Sequence, residues 1–370
     1  MSTEVQLAVA GSGKTAEIAR RITAQGLETR SIALTFTVNG QQEISSRVGV
    51  KTSGEHETMG WFTFLVRHIV RPYLPAVFPG IYATGLCYVD TDSDIPRGRS
   101  DWQYYFNDSH QPYNTRLALL AKKVLVATSD LPIRRLEGIF DQIYIDEFQD
   151  LGGNDLVVLE TLMNSSIGLF ATGDVRQSVL QTSRSDRLNR EYRGVHLVEW
   201  FREKENQEIC SITYSDETSR FNQAIASFSD LIHDPELNLP ATTSVQEDET
   251  GHDGVFLVDT ADIPNYVATW NPTILWSRKS QRELPSAELM TFGSSKGLTR
   301  ERVLIVATGP IGKWLKTKDL LAASSACGFY VAATRARFSV AIAVDRASRV
   351  HGMLHPDFAG NVKLWTPPEE

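Results

Sequence analysis

The feature that most constrains this chain lies in its first fifteen residues. Residues 5–9 (VQLAV) form a short apolar run of the kind buried in a parallel sheet, and residues 8–15 read AVAGSGKT. Gly11 and Gly13 free the backbone to curl into a nest of N–H groups. Residues 16–22 then read as a helix whose positive N-terminal end faces the same point. Such a turn suits a phosphate chain. Ala10, Gly11, Ser12 and Gly13 would line it, Lys14 would reach the outer phosphates, and Thr15 would offer a hydroxyl to Mg²⁺. Ala8 stands where this pattern often has its first glycine. Strand, glycine turn and helix in this order predict an α/β fold built on a parallel sheet.

A second apolar strand, residues 143–145, ends in acids: residues 143–150 read IYIDEFQD. Two adjacent carboxylates at a strand end suit metal-dependent hydrolysis of a nucleoside triphosphate. Asp146 would hold the metal and Glu147 would orient or deprotonate the attacking water. Carboxylates this close raise each other's pKa unless a cation intervenes. Alone, the pair also fits two solvated strand-end acids; beside the phosphate loop it reads as a metal site.

The remaining pattern repeats strand and helix. Residues 31–37 and 167–172 read as strands, and 41–48 and 156–163 as helices. Further on, 254–258, 272–276, 288–291, 303–308 and 339–344 read as strands, with helices at 221–232 and 322–335. Length favours two domains, residues 1–181 and 182–370, with an insertion at about 65–135 in the first. That insertion carries Pro72, Pro75 and Pro79 and many aromatics, and its internal structure is not legible.

The motifs so far resemble the UvrD/Rep group of superfamily 1 helicases. Residues 33–48 (ALTFTVNGQQEISSRV) resemble the family's strand-carrying motif, and TMGWF at 58–62 stands where a second strand contact is expected. GDVRQS at 173–178 resembles the coupling motif, and SRFNQAI at 219–225 the fourth motif. FGSSKGL at 292–298 and YVAATRAR at 330–337 are similar to the fifth and sixth. The resemblance implies two RecA-like P-loop NTPase domains with parallel sheets, using ATP and Mg²⁺. It implies that Gln177 senses the γ-phosphate, that Arg220 contacts it, and that Arg335 is an arginine finger delivered across the domain interface. Gly297 would touch the nucleotide. The strand contacts it implies are Thr37, Asn39, Thr58, Trp61, Arg278 and Ser294. Trp61 could instead be buried beside Phe62 and Phe64.

The chain departs from the family pattern in four places. It starts at the first strand, without the upstream glutamine motif that reads adenine. VLQTSRS after GDVRQS lacks the family's base-stacking aromatics, a loss of roughly 1–3 kcal/mol per base. Thr299 follows KGL where an acid is usual. Residues 279–289 replace a large accessory subdomain in the second domain. The expected molecule is a minimal motor on single-stranded nucleic acid, DNA in the 3′ to 5′ direction. The alternative is a nucleotide-gated ATPase subunit that regulates a partner nuclease. The compressed form, with RPYLPAVFPG at 71–80, also resembles the helicase-like component of Gabija-type antiphage systems, which works with such a nuclease.

Composition sets outer bounds. A net charge of −8 argues against a generally basic coat for nucleic acid, leaving a local groove open. Cys87, Cys210 and Cys327 show no metal-ligand spacing and fit a reducing cytoplasm. With neither a signal segment nor a bilayer-length apolar run, a cytoplasmic protein with no membrane partner is expected. Arg184, Arg187, Arg190 and Arg193 recur every three residues. On a helix they would form one stripe, either a phosphate or partner surface or a solvated face paired with Asp186 and Glu191.

Overall fold

A computed structural model describes residues 3–26, 28–49, 55–95, 101–180, 187–277 and 288–367. The chain divides into two compact units. The first comprises residues 1–8, 13–175 and 180–214; the second comprises 9–12, 176–179 and 215–370. The described residues 187–214, read from sequence with the second half, lie in the first of these units.

In the first unit the strands are β1 (Thr3–Ala8), β2 (Ser31–Thr35), β3 (His56–Gly60), β4 (Gln142–Asp146), β5 (Gly168–Gly173) and β6 (Ser211–Ser215). They form one sheet in the order β3-β2-β4-β5-β1-β6. The pairings from β3 through to β1 are all parallel. In register, Leu7 of β1 lies opposite Gly173 of β5, and Asp146 of β4 opposite Thr172. Three strands therefore deliver the phosphate loop, the acids and GDVRQS to one sheet edge, the carboxyl end, where open parallel sheets hold their ligands. Helices Lys14–Thr23 and Val38–Val48 bury Ile18, Ile22, Ile44 and Val48 against Ala33, Tyr144 and Phe170 of the sheet.

The insertion between β3 and β4 is helical. A helix begins at Trp61, widens to a π-helical stretch at Leu65–Val70 and resumes at Arg71–Tyr73. Pro72 explains the widening, since it can give no amide hydrogen to the turn before it. Helix Asn114–Ala127 then packs on that stretch through buried residues including Leu117, Leu120, Ala121 and Val124.

The second unit carries a two-stranded ladder, β7 (Glu217–Thr218) and β8 (Thr243–Ser244). Its main sheet contains β9 (Gly254–Asp259), β10 (Thr273–Trp276), β11 (Leu289–Thr291), β12 (Arg300–Val306), β13 (Ala336–Val344) and β14 (Val362–Leu364). The order is β11-β10-β12-β13-β9-β14, every pair parallel. Its core gathers Phe228, Trp314, Phe329, Tyr330 and Phe358 with the inward residues of β9, β12 and β13. The expected α/β class with two parallel sheets is present. Among the described residues, no helix is long and apolar enough to cross a membrane.

The arginine spacing does not give a helix. Residues 187–193 are turns and extended chain, Asn189 takes a left-handed φ of 52°, and a helix starts only at Leu197. The described members, Arg187, Arg190 and Arg193, form no helical stripe; Arg184 lies outside the described residues.

One buried histidine makes stability pH-dependent. His68 is 4% exposed, packs against Phe64 and Phe140, and has no hydrogen-bond partner among the described residues on either ring nitrogen. Burial, aided by the Arg67 and Arg135 charges, lowers its pKa from 6.5 to about 4. The unfolded chain takes up this proton as pH falls through 6.5, while the folded chain resists until about 4. Stability is therefore full above that window and falls within it, by at most about 1.4 kcal/mol per pH unit from this residue. In urea titrations between pH 7 and 4.5, His68→Phe is expected to flatten the decline. Parallel profiles for the two proteins would refute the assignment.

Candidate nucleotide site

The AGSGKT loop takes the conformation its glycines permit. Gly11 and Gly13 have φ of 80° and 82°, and Gly13 caps helix Lys14–Thr23. Both values lie in the left-handed region, which side chains disfavour. Lys14 is 9% exposed in the first turn of that helix, and Ala10 is fully buried. Ser12 Oγ is buried with no hydrogen-bond partner among the described residues. The main-chain oxygen of Gly11 accepts from both the amide and the hydroxyl of Ser219, at 3.2 Å each. A Cβ on Gly11 would lie 2.6 Å from Cβ of Arg220, so glycine is also a packing requirement here.

At the end of β4, the Thr15 hydroxyl donates to Asp146 Oδ2 at 2.8 Å. Asp146 is 2% exposed, and its other oxygen, Oδ1, is buried with no hydrogen-bond partner among the described residues. Burial, and then the Glu147 charge, hold this carboxyl well above the ordinary carboxylate range. A buried acid with one unsatisfied oxygen beside a hydroxyl is costly unless a cation or donor arrives. The hydroxyl and carboxylate oxygens match a hard divalent cation such as Mg²⁺, which uses one or two carboxylates alongside phosphate oxygens. Among the described residues, no group of three or more His, Cys, Asp or Glu could form an all-protein metal cage. The Thr15 hydroxyl and the Asp146 carboxylate oxygens fit a divalent cation.

Glu147 is turned off the strand end. Its φ of 59° is left-handed, an uncommon state for a glutamate that stores some strain where side-chain aim matters. Gln149 donates to its carboxylate and in turn accepts from the Asp174 amide at 3.0 Å. A Cβ on Gly173 would come within 2.4 Å of Gln149 Oε1, so glycine at the end of β5 makes room for this brace.

Gln177 and Arg335 are brought together. Arg335 is 1% exposed and donates from Nη2 to Gln177 Oε1 at 2.8 Å, from Nε to the Val331 oxygen at 2.9 Å, and from Nη1 to the Leu298 oxygen at 3.2 Å. Arg220 donates to the Thr334 oxygen at 3.4 Å. Arg220 is thereby tied to the residue that precedes Arg335. Gly297, with φ of 84°, lies exposed beside Leu298.

The strand-contact candidates divide. Thr37 and Asn39 are exposed, and Thr37 is no longer strand: its side chain caps helix Val38–Val48 by accepting from the Gly40 amide. Thr58 is half-buried and bonded to His56 Nε2. Ser294 is exposed and tied to Thr291. Arg278 lies outside the described residues. Trp61 is in the core: it is 1% exposed, stacks with Phe64, and donates from Nε1 to Asp155 at 2.6 Å. The burial alternative holds for Trp61, which presents no face to a base.

Sequence reasoning passed over Gln149, Asp174 and Arg176, although each sits inside a quoted motif. Their partners are remote in sequence or require the sheet order, which the motif alone does not supply.

No protein-family model and no curated protein matches this chain. Among solved structures it is similar to the Arterivirus nonstructural protein 10 helicase, at 15% identity over 95% of this chain and 62% of that one, with a TM-score of 0.48. It is likewise similar to that helicase in complex with DNA, at 13% identity over 95% and 63%, with a TM-score of 0.47. The chain spans less than two thirds of the length of either neighbour. Likenesses this distant carry nothing about activity.

Proposed function

We propose that the chain is an ATP-hydrolysing motor of the superfamily 1 helicase kind, moving on single-stranded DNA from 3′ to 5′. One observation carries the nucleotide part: the Thr15 hydroxyl on the buried Asp146 carboxylate, at the sheet edge where the AGSGKT loop and Glu147 also emerge. Bound Mg²⁺ would neutralise charge on the phosphate oxygens. The chain's own residues do the rest. The loop amides and Lys14 hold the triphosphate, Thr15 and Asp146 supply oxygens to the cation, and Glu147 orients and deprotonates the attacking water. The UvrD/Rep resemblance implies that Gln177, Arg220 and Arg335 respond to the γ-phosphate, where an arginine fork can span two oxygens as charge spreads. DNA, polarity and strand contacts at Thr37, Asn39, Thr58, Arg278 and Ser294 are taken from the UvrD/Rep resemblance.

The test is ATP turnover with and without single-stranded DNA, against blunt duplex as control. Single strands are expected to raise the rate several-fold. An unchanged rate would remove the motor reading and leave the nucleotide site standing.

The burial of Trp61 favours a second reading. With that aromatic in the core, the chain would serve as a nucleotide-gated subunit of a partner nuclease, as in Gabija-type defence. That reading predicts slow, DNA-independent turnover and ATP-dependent capture of the nuclease.

A further inference from the structure

The GDVRQS segment contains a cation that the proposed chemistry does not use. Arg176 is 4% exposed, an unusual place for a permanent charge. Its Nη1 donates to Asp230 Oδ1 at 2.8 Å, and its guanidinium lies 5.4 Å from the centroid of the Tyr330 ring. Asp230 is fixed in turn, since Oδ1 accepts from the Thr242 hydroxyl at 2.7 Å and Oδ2 from the Thr242 amide at 2.6 Å. Asp230 ends helix Gln223–Asp230, which begins three residues after Arg220. Tyr330 lies in helix Ala323–Ala333, which runs directly into Thr334 and Arg335. Arg176 thus ties together the helix that follows one nucleotide-sensing arginine and the helix that precedes the other. The next residue, Gln177, is the one that bonds Arg335.

We propose that Arg176 is a positioning residue: clamped by Asp230 and Tyr330, it fixes the 176–179 turn so that the Gln177 carboxamide stays in register with Arg335. A buried ion pair is a weak source of net stability, but breaking one leaves an uncompensated charge, so its geometry is held tightly. That property suits a part whose task is aim. The inference rests on the ATP-site reading above and adds a residue that acts through Gln177 without touching nucleotide.

The experiment uses the full chain with Arg176→Ala, Arg176→Lys and Asp230→Asn. Steady-state ATP turnover is measured together with amide hydrogen exchange across residues 175–179 in nucleotide-free protein. Arg176→Ala is expected to lower kcat about tenfold while KM for ATP moves less than about threefold. Exchange across the turn should rise about tenfold, because the turn opens locally without global unfolding. Asp230→Asn, which keeps the side chain's shape, should move both readouts the same way. Arg176→Lys keeps the charge facing Asp230 and should recover most of each. Unchanged exchange and kcat in Arg176→Ala would overturn the proposal. So would a parallel fall of kcat, KM and melting temperature that Arg176→Lys does not rescue, since that is the mark of lost packing. A wild-type chain without ATP turnover would sink the functional reading instead, and exchange would still test the clamp.

Discussion

Lys14→Ala is expected to lower ATP turnover about 100- to 1,000-fold, the range seen when one preorganised charge-stabilising donor is removed from a reacting centre. The structure argues that this loss is chemical. Lys14 opens helix Lys14–Thr23, where alanine is the better helix former, and Ile18 and Ile22 keep the helix on the sheet. The backbone bend at Gly11 and Gly13 does not depend on the lysine side chain. What disappears is the one cation of the loop, at a place 9% exposed, where water compensates poorly. Phosphate oxygens would then face Asp146 and Glu147 with less positive charge, so KM should rise as kcat falls. Steady-state kinetics and binding of a fluorescent ATP analogue read both effects, and a melting curve confirms the fold. Wild-type turnover in this variant would mean that the loop is not the nucleotide site.

Local signals with a physical mechanism were the legible ones. The first strand, glycine turn and helix could be read because apolar burial, left-handed backbone and helix start each leave a residue signature in a few adjacent positions. In the second sheet β9, β10, β12 and β13 could be read because parallel strands buried on both faces are plain apolar runs, whereas the three-residue β14 was not read. Element ends were less legible. Thr37 has a strand-former's side chain, yet its hydroxyl caps the next helix, so β2 stops at Thr35. The arginine repeat gives no helix among the described residues for a different reason: Asn189 takes a left-handed φ of 52°, which interrupts a right-handed helix whatever the spacing of the charges. Pairings between distant residues were illegible in principle. Trp61 finds Asp155 and Arg176 finds Asp230 only after the sheet order brings their elements together, and no spacing rule encodes either contact.

Glu147→Gln is expected to separate binding from chemistry, lowering kcat about 10²- to 10⁴-fold, the usual contribution of a general base. The substitution is nearly isosteric, and the new amide oxygen can still accept from the Gln149 side chain that braces Glu147. The left-handed turn at this position is a backbone property that glutamine can adopt as glutamate does. ATP affinity should hold or increase, because Glu147 raises the pKa of Asp146 and its removal makes Asp146 a readier anion for a cation. This outcome is the opposite of the one expected for Lys14→Ala, where affinity falls along with rate. The two variants therefore check each other. If both lose binding, the acids and the loop serve one structural role; if Glu147→Gln turns over normally, another group activates the water. Tight binding with arrested turnover in Glu147→Gln alone assigns the water-activating role to the carboxylate that follows β4.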